Sequence, residues 1–486
     1  MIAPLANLCL AVALPLVAVL FSFFTPGTIA AQEGPYENYL VGDRATGLAG
    51  AFVAVADDAS TIFHNPGGLA ALPSSSVSGS LWVVSFASRT VEDGYVTDLG
   101  NGTLDHSASP SIPLFVSAVF RFGPRDESGL RRHAIAATIL NPHRVDTSFL
   151  TQLEGSTALG PSVARLQTSH SEVDRWYGTA YGYRLTPRLS LGVSAFLATR
   201  EVNHSEIEVF TSARAIDPAA ETTTTRNWRT SINTEDLIFR FGARLDIGDH
   251  WRAGALLQLP GIQIGGSATI DQIETGTSPP DRLAFSTAAE RGIDADSILP
   301  WEARIGFAWV DDPLASISLD LSILGPLGGE EDPIEVVGTS NLNAGLLFPR
   351  QTRYRPTVRI AAGFNFTLFD RLPIRGGVRF DPSTAPDVLG TETTYVRDDI
   401  DRLGFALSVG YQTEDFDFAV GTTAIFGWGQ GLALTRSFVD GSFGYQAADV
   451  NERTVYLFIS GATSVIRRIV DEVTDTDTDE ERATNR

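Results

Sequence analysis

The sequence predicts an all-β protein, a transmembrane antiparallel β-barrel of about fourteen strands with an N-terminal hatch, or plug, inside its lumen. Three observations point there. Long segments alternate apolar and polar residues with a period of two. Short turn-like connectors alternate with long polar stretches. Residues 46–72 form a compact Gly- and Ala-rich block, interrupted by Asp57-Asp58 and Asn65-Pro66, unlike anything that follows.

In chain order, residues 1–31 carry no charged side chain and contain an apolar run from Leu8 to Phe24 before Thr25-Pro26-Gly27 and small residues to Ala31. This reads as a secretory signal peptide cut near Ala30 or Ala31. A retained anchor is the competing reading, because the n-region lacks Lys and Arg and the apolar run is long. No later run of about 18 apolar residues exists, which excludes a helical-bundle membrane protein. The one Cys, Cys9, lies in this leader, so a processed chain has no disulfide and no thiol chemistry. The plug is expected over 32–74, the barrel over 75–467, and an acidic, disordered tail over 468–486, where DEVTDTDTDEERATNR has nothing to bury.

Within the barrel region, Leu237, Phe239, Phe241, Ala243 and Leu245 alternate with Ile238, Arg240, Gly242, Arg244 and Asp246. The same pattern recurs over 359–368 and 416–428, placing one set on each face of a strand. Thr186-Pro187-Arg188, Gly248-Asp249-His250, Asp311-Asp312-Pro313, Asp370-Arg371 and Glu414-Asp415 read as tight hairpin connectors. The polar stretches 204–232, 271–298 and 382–398 read as long loops. Short turns at one end and long loops at the other suit an outer-membrane barrel. Trp82, Trp176, Tyr177, Trp251, Trp301, Trp309 and Trp428 fall near strand ends, where an interfacial girdle is expected. A secreted sandwich or propeller is the alternative all-β reading. It accounts less well for strands of ten or more residues with one almost wholly apolar face.

Charge narrows the function. The net charge is −22, from 36 basic and 58 acidic side chains, and every basic residue is Arg. Repulsion disfavours a nucleic-acid partner, and none is expected. The seven His show no metal-ligand spacing, no G-x-S-x-G elbow occurs, and a Lys-dependent phosphate loop is impossible. No enzymatic activity, catalytic residue, metal or cofactor is expected.

Five segments then carry a resemblance: ATGLAGAFVAVADDASTIFHNPGGLAAL (45–72), ILNPHRVDTSF (139–149), LPWEARIGFAWV (299–310), PIRGGVRFDPSTAPD (373–387) and DDIDRLGFALSVGY (398–411). Together the mature chain resembles the FadL-type outer-membrane transporters of long-chain fatty acids and other hydrophobic compounds. The resemblance implies a hatch in a fourteen-stranded barrel, ending in Asn-Pro-Ala. Here the third position is Gly67 after Asn65-Pro66, so a looser hatch end is expected. Asp57 and Asp58 read as turn or helix caps ahead of any ligand role.

The resemblance also implies a kink in the third strand that opens the wall sideways. Asn141 and Pro142 match it, and a strand Pro removes a ladder hydrogen bond. Two short strands flanking a loop are the plainer reading of 133–149. By parity, Arg240, Arg244, Arg304, Arg359, Arg375 and Arg379 point into the lumen, since charge facing lipid costs roughly 2–4 kcal/mol near the midplane. They are candidates for binding a carboxylate head group, with pairing to acids or to the plug as the structural alternative. The expected function is passive uptake of hydrophobic small molecules, long-chain fatty acids foremost, by a monomer in outer-membrane lipid. The rival is a barrel that docks proteins or shuttles secreted ones; a hydrophilic porin fits poorly with a plug.

Overall fold

The computed structural model describes residues 40–463 except 109–113, 214–220, 279–281, 298, 312–313, 329–333, 336–350, 391–396 and 414–415. The expected signal peptide and acidic tail lie outside the described residues. The N-terminal block holds two short helices, α1 (Asp43–Gly47) and α2 (Thr61–His64), and a 3-10 turn at Pro66–Ala71.

Strands follow. The first group is β1 (Ser76–Thr97), β2 (Gly100–Ala108), β3 (Leu114–Arg125), β4 (Arg131–Leu140), β5 (Arg144–Thr157), β6 (Gly160–Arg184) and β7 (Leu189–Ala213). Next come β8 (Glu221–Ile247), β9 (Trp251–Gln258), β10 (Ile262–Ser278), β11 (Arg282–Ile293), β12 (Glu302–Asp311) and β13 (Ala315–Leu324). The chain ends with β14 (Ile334–Glu335), β15 (Gln351–Thr352), β16 (Thr357–Leu368), β17 (Leu372–Asp381), β18 (Asp399–Gln412), β19 (Phe416–Arg436) and β20 (Phe443–Thr463). All but β14 and β15 share one hydrogen-bonded sheet, and β20 returns to pair antiparallel with β1, Val77 opposite Thr463.

The ring closes as a barrel of 15 strands, close to the expected fourteen. Interruptions account for much of the excess of the eighteen sheet strands over that number. β4 and β5 pair successive stretches of β6, with Leu140 opposite Trp176 and Arg144 opposite Val173. β9 and β10 likewise share β8, with Gln258 opposite Arg240 and Ile262 opposite Leu237.

The alternation resolves as read. Phe241, Leu245, Phe307, Val420 and Phe426 are exposed on the outside, while all six parity-selected Arg are buried. Two readings need correction. Trp176 is not part of a girdle; it is 4% exposed and packs inward on Phe63 and Phe196. Much of 204–232 and 271–298 is strand rather than loop: β7, β8, β10 and β11 run on well past the apolar band. There both faces are largely polar, so the period-two signal fades, but Thr-rich stretches such as 222–225 still favour extended backbone.

Residues 45–72 fill the lumen. Ala45, Ala51 to Ala54, Ile62, Phe63 and Leu69 have no exposed surface. The block lies against strands on opposite sides of the ring, β6, β7 and β8 around the 3-10 turn and β17, β18 and β19 around α1.

Candidate functional site

The site is built from the plug outward. Asn65 Oδ1 accepts the Gly67 N–H at 3.0 Å and so caps the 3-10 turn, the local role its residue type favours. Its Nδ2 donates to the Val53 carbonyl at 2.7 Å and, across to the wall, to the Ala243 carbonyl at 2.9 Å. Asp58 Oδ1 accepts from Ser60 N at 2.7 Å, and Asp57 pairs with Arg44 at 3.1 Å, so both acids serve the plug's own turns. His64 Nε2 meets the Val41 carbonyl at 2.8 Å, an internal bond of the plug.

Gly67 overturns the expectation of a looser hatch end. A Cβ there would lie 2.8 Å from the Cα and N of Ala243, inside the β8 backbone. The missing side chain lets the plug press directly on the wall, so the contact is tighter than an Ala would permit. The wall answers with glycines of its own. A Cβ on Gly192 would sit 2.2 Å from the Pro66 carbonyl oxygen, one on Gly254 2.2 Å from that of Val53, and one on Gly377 2.5 Å from that of Leu48. Several of these glycines are cross-strand partners: Gly182 with Gly192, Gly192 with Gly242, Gly254 with Gly306, and Gly363 with Gly377. They form a belt, spread over β6 to β17, against which plug backbone rests. Sequence reading missed it, although Gly242 and Gly363 already stood on the polar face of the quoted alternations.

The six lumenal Arg mostly tie the structure together. Arg244 Nη1 donates to the Val55 and Ala56 carbonyls at 3.1 and 3.0 Å, and Arg240 Nη1 donates to the Phe63 carbonyl. Arg304 pairs with Glu302 at 2.7 Å, Arg375 with Asp417 at 3.2 Å, and Arg379 with Asp381 at 3.3 Å; Arg359 lies 3.9 Å from Glu302. Asp320 on β13 adds a further tie, its Oδ2 accepting the Phe52 and Val53 N–H groups at 2.7 Å each.

Beside Phe63 lies a cavity of about 40 Å³. It is lined by Phe63 and Arg240, by Pro142 and His143, and by Glu172 and Arg200. Of the six selected Arg, only Arg240 lines it; its guanidinium carbon stands 3.9 Å from the Phe63 ring centre, with Trp176 and Phe196 close by. Arg200 was not foreseen. It bonds Glu172, lies 3.8 Å from Asp174, and Glu172 in turn lies 3.3 Å from His143 Nε2. Parity along β7 pointed to Arg200, since Phe196 and Ala198 share its buried face.

Pro142 sits where the third strand breaks. β4 stops at Leu140 and β5 resumes at Arg144, so three residues face two on β6, as in a β-bulge. The proline has no N–H to give. The neighbouring polar groups are satisfied otherwise: Asn141 Nδ2 donates to the Asp174 carbonyl and Asp174 N–H to the His143 carbonyl, both at 3.0 Å. Above the break, the Nδ1 of His106 on β2 lies 2.9 Å from the carbonyl oxygen and 2.8 Å from the amide nitrogen of Ser148 on β5, two strands that share no ladder among the described residues. Among the described residues no group of three or more His, Cys, Asp or Glu is placed to hold a metal.

This architecture matches solved barrels over nearly their whole length. The toluene transporter TodX of P. putida aligns with a TM-score of 0.55 at 11% identity, covering 88% of this chain and 98% of that one. Its fold is that of the FadL-type transporters. A Pseudomonas aeruginosa FadL homologue gives 0.55 at 12% identity over 90% of this chain and all of its own, and the CymD monoaromatic hydrocarbon channel 0.51 at 12% over 88% and 98%. No protein-family model matches the chain, and a search of curated sequences returns no relative. The shared FadL-type fold is thus carried by topology, while the identities leave substrate and side-chain roles to be argued from this chain alone.

Proposed function

We propose that the chain is an outer-membrane channel for passive uptake of hydrophobic small molecules, long-chain fatty acids foremost, with lateral exit at the kinked third strand. The observation that carries this reading is the bulge at Asn141–His143 opening onto the cavity beside Phe63. The driving force is partition of the apolar chain into lipid, about 0.8 kcal/mol per buried methylene, so no energy source is required. Arg240, and Arg200 beside it, supply a guanidinium pair for a carboxylate head group, while Trp176 and Phe196 receive the first methylenes. The other five Arg keep structural duties.

A cavity of about 40 Å³ is far below the roughly 300–1,000 Å³ of ligand pockets, so the space beside Phe63 is closed to such a ligand as it stands. Opening requires rearrangement of the hatch next to Phe63. The glycine belt holds the remainder of the plug in place. One observation favours the docking alternative: the long ordered extensions of β7, β8, β10 and β11 beyond the apolar band offer a broad surface to another protein.

Deleting Pro142 tests the transport reading, because removing one residue restores two-against-two pairing with β6. Uptake of radiolabelled oleate and toluene into membranes carrying the intact chain is expected to exceed that of empty membranes. The deletion is expected to cut it roughly three- to tenfold, since closing a gate limits flux without touching the ligand site. Intact-chain uptake no faster than empty membranes would end the transport reading.

A further inference from the structure

A second place in the wall lacks ladder pairing among the described residues. β12 and β9 pair as far as Glu302 opposite Gln258, and β11 and β10 resume only at Ile293 opposite Ala268. Between these rungs, among the described residues, no ladder pair joins 259–267 to 294–301. The sequence accounts for the gap: Pro260 and Pro300 carry no N–H to donate, and at Gly266, where a Cβ would overlap the Ala295 carbonyl oxygen, the two backbones touch without pairing, which confines the looser stretch to 259–264 against 297–301. What crosses it is a few isolated bonds. Gly261 N–H donates to the Leu299 carbonyl at 3.0 Å, the Gln263 side chain to the Ala295 carbonyl at 2.6 Å, and Ser297 N–H to Gln263 Oε1 at 3.3 Å.

The two ends of this gap differ in the way a passage requires. Outside, Ile262 and Ile264 are more than half exposed, at 54% and 53%, and Leu259 and Trp301 stand beside them, continuing the apolar band that β8 and β12 present below with Phe241 and Ile305. Inside, Gln258, Leu299 and Pro300 line the same cavity that Pro142 and His143 line from the third strand. Leu299 also packs on the cluster that holds Phe63 and Trp176. Arg200 connects the two sides, donating through Nη1 to Ser297 Oγ at 3.0 Å and through Nη2 to Glu172, the neighbour of His143.

We propose that the break between β9–β10 and β11–β12 is a second lateral opening, through which apolar solutes pass between the lumenal cavity and membrane lipid. The proposal rests on the transport reading and adds a route to it. A solute in the cavity has an apolar exit at Leu299 as well as at Pro142. Displacing Arg200 loosens its bonds to both sides at once.

A cysteine pair closes this gap without touching the third strand. A Cβ on Gly261 would lie 3.8 Å from the Leu299 Cβ, within the usual disulfide span of about 3.5–4.5 Å. The one native cysteine, Cys9, lies far from it in sequence, in the leader. The full-length Gly261→Cys/Leu299→Cys chain is reconstituted in liposomes and assayed for radiolabelled toluene and oleate, oxidised and after reduction, with each single variant alongside.

The expected result is a loss of roughly twofold or more on oxidation, recovered on reduction and absent from both single variants, as closing one of two parallel gates predicts. Unchanged uptake by a protein shown by gel shift to be fully cross-linked overturns the second opening and leaves Pro142 as the route. Failure of the transport reading looks different: then the reduced pair and the unmodified chain alike do no better than protein-free liposomes.

Discussion

The wall that grips the plug and the wall around the cavity are built on opposite rules. Around the grip, glycines let backbone meet backbone, as where Gly192 faces Pro66 and Gly254 faces Val53. Carbonyls and amides of the plug are there matched one by one to Arg244 and Asp320. Around the cavity, prolines interrupt the strands and a charged set, Arg200, Glu172, Asp174 and His143, fills the space between. Close packing without voids resists displacement, whereas bulges and unpaired edges yield. On the transport reading, the plug is a fixed insert along the belt, and movement belongs to the walls and to the plug around Phe63.

The most damaging way to break that contrast is Gly254→Leu. Its Cβ alone would stand 2.2 Å from the Val53 carbonyl oxygen, and neither backbone has room to retreat. The loss is expected to exceed the roughly 1–3 kcal/mol usual for overpacking, seen as failure to form the compact, heat-modifiable barrel on gels. A variant that folds with native urea stability would show the belt to be dispensable.

Asp320→Ala is the next step down. It strips the acceptor from two buried N–H groups, those of Phe52 and Val53. Stability is expected to fall by roughly 1–3 kcal/mol, with protease cuts near residues 52–53 becoming accessible before the barrel itself opens. Loss of barrel stability with no earlier cleavage of the plug would place the effect in the wall instead.

How much of this was legible follows from the same contrast. The lumenal face was readable wherever the opposite face of the strand is apolar, so Arg240, Arg304 and Arg375 could be placed by parity alone. Beyond the apolar band that constraint lapses. There β8 from Glu221 looked like loop, because a strand polar on both faces carries no alternation in its sequence even where one face is buried, as at Trp228 and Ile232. Trp176 was misplaced for a related reason. An aromatic near a strand break fits a girdle or a lumen equally well until its partners, here Phe63 and Phe196, are known. Gly67 was misread because a one-residue departure was weighed against a motif, whereas its meaning lies in Ala243, 176 positions away in sequence and reachable only through the fold. Pro142 was legible as a break but not as a bulge, since the register with β6 depends on both strands.

The smallest expected effect lies outside both regions, at the turn joining β3 to β4, and it sharpens the contrast by showing what an ordinary tie contributes. Burial raises the Asp126 carboxyl, but hydrogen bonds from Ser128 and Arg184 outweigh it and hold the group down at about 2. Arg184 Nε reaches Asp126 Oδ2 at 2.7 Å, and Ser128 Oγ reaches Oδ1 at 2.6 Å. A carboxyl lowered on folding contributes stability that is complete above its unfolded value, about 3.9, and fades as pH falls toward the folded one. Urea midpoints measured between pH 5 and pH 2 should therefore drop less steeply in Asp126→Asn than in the unaltered chain, the two curves converging at the acid end. Parallel curves across that window would mean that Asp126 titrates alike folded and unfolded, and that the turn is held by its backbone bond from Gly129 N–H to the Asp126 carbonyl instead.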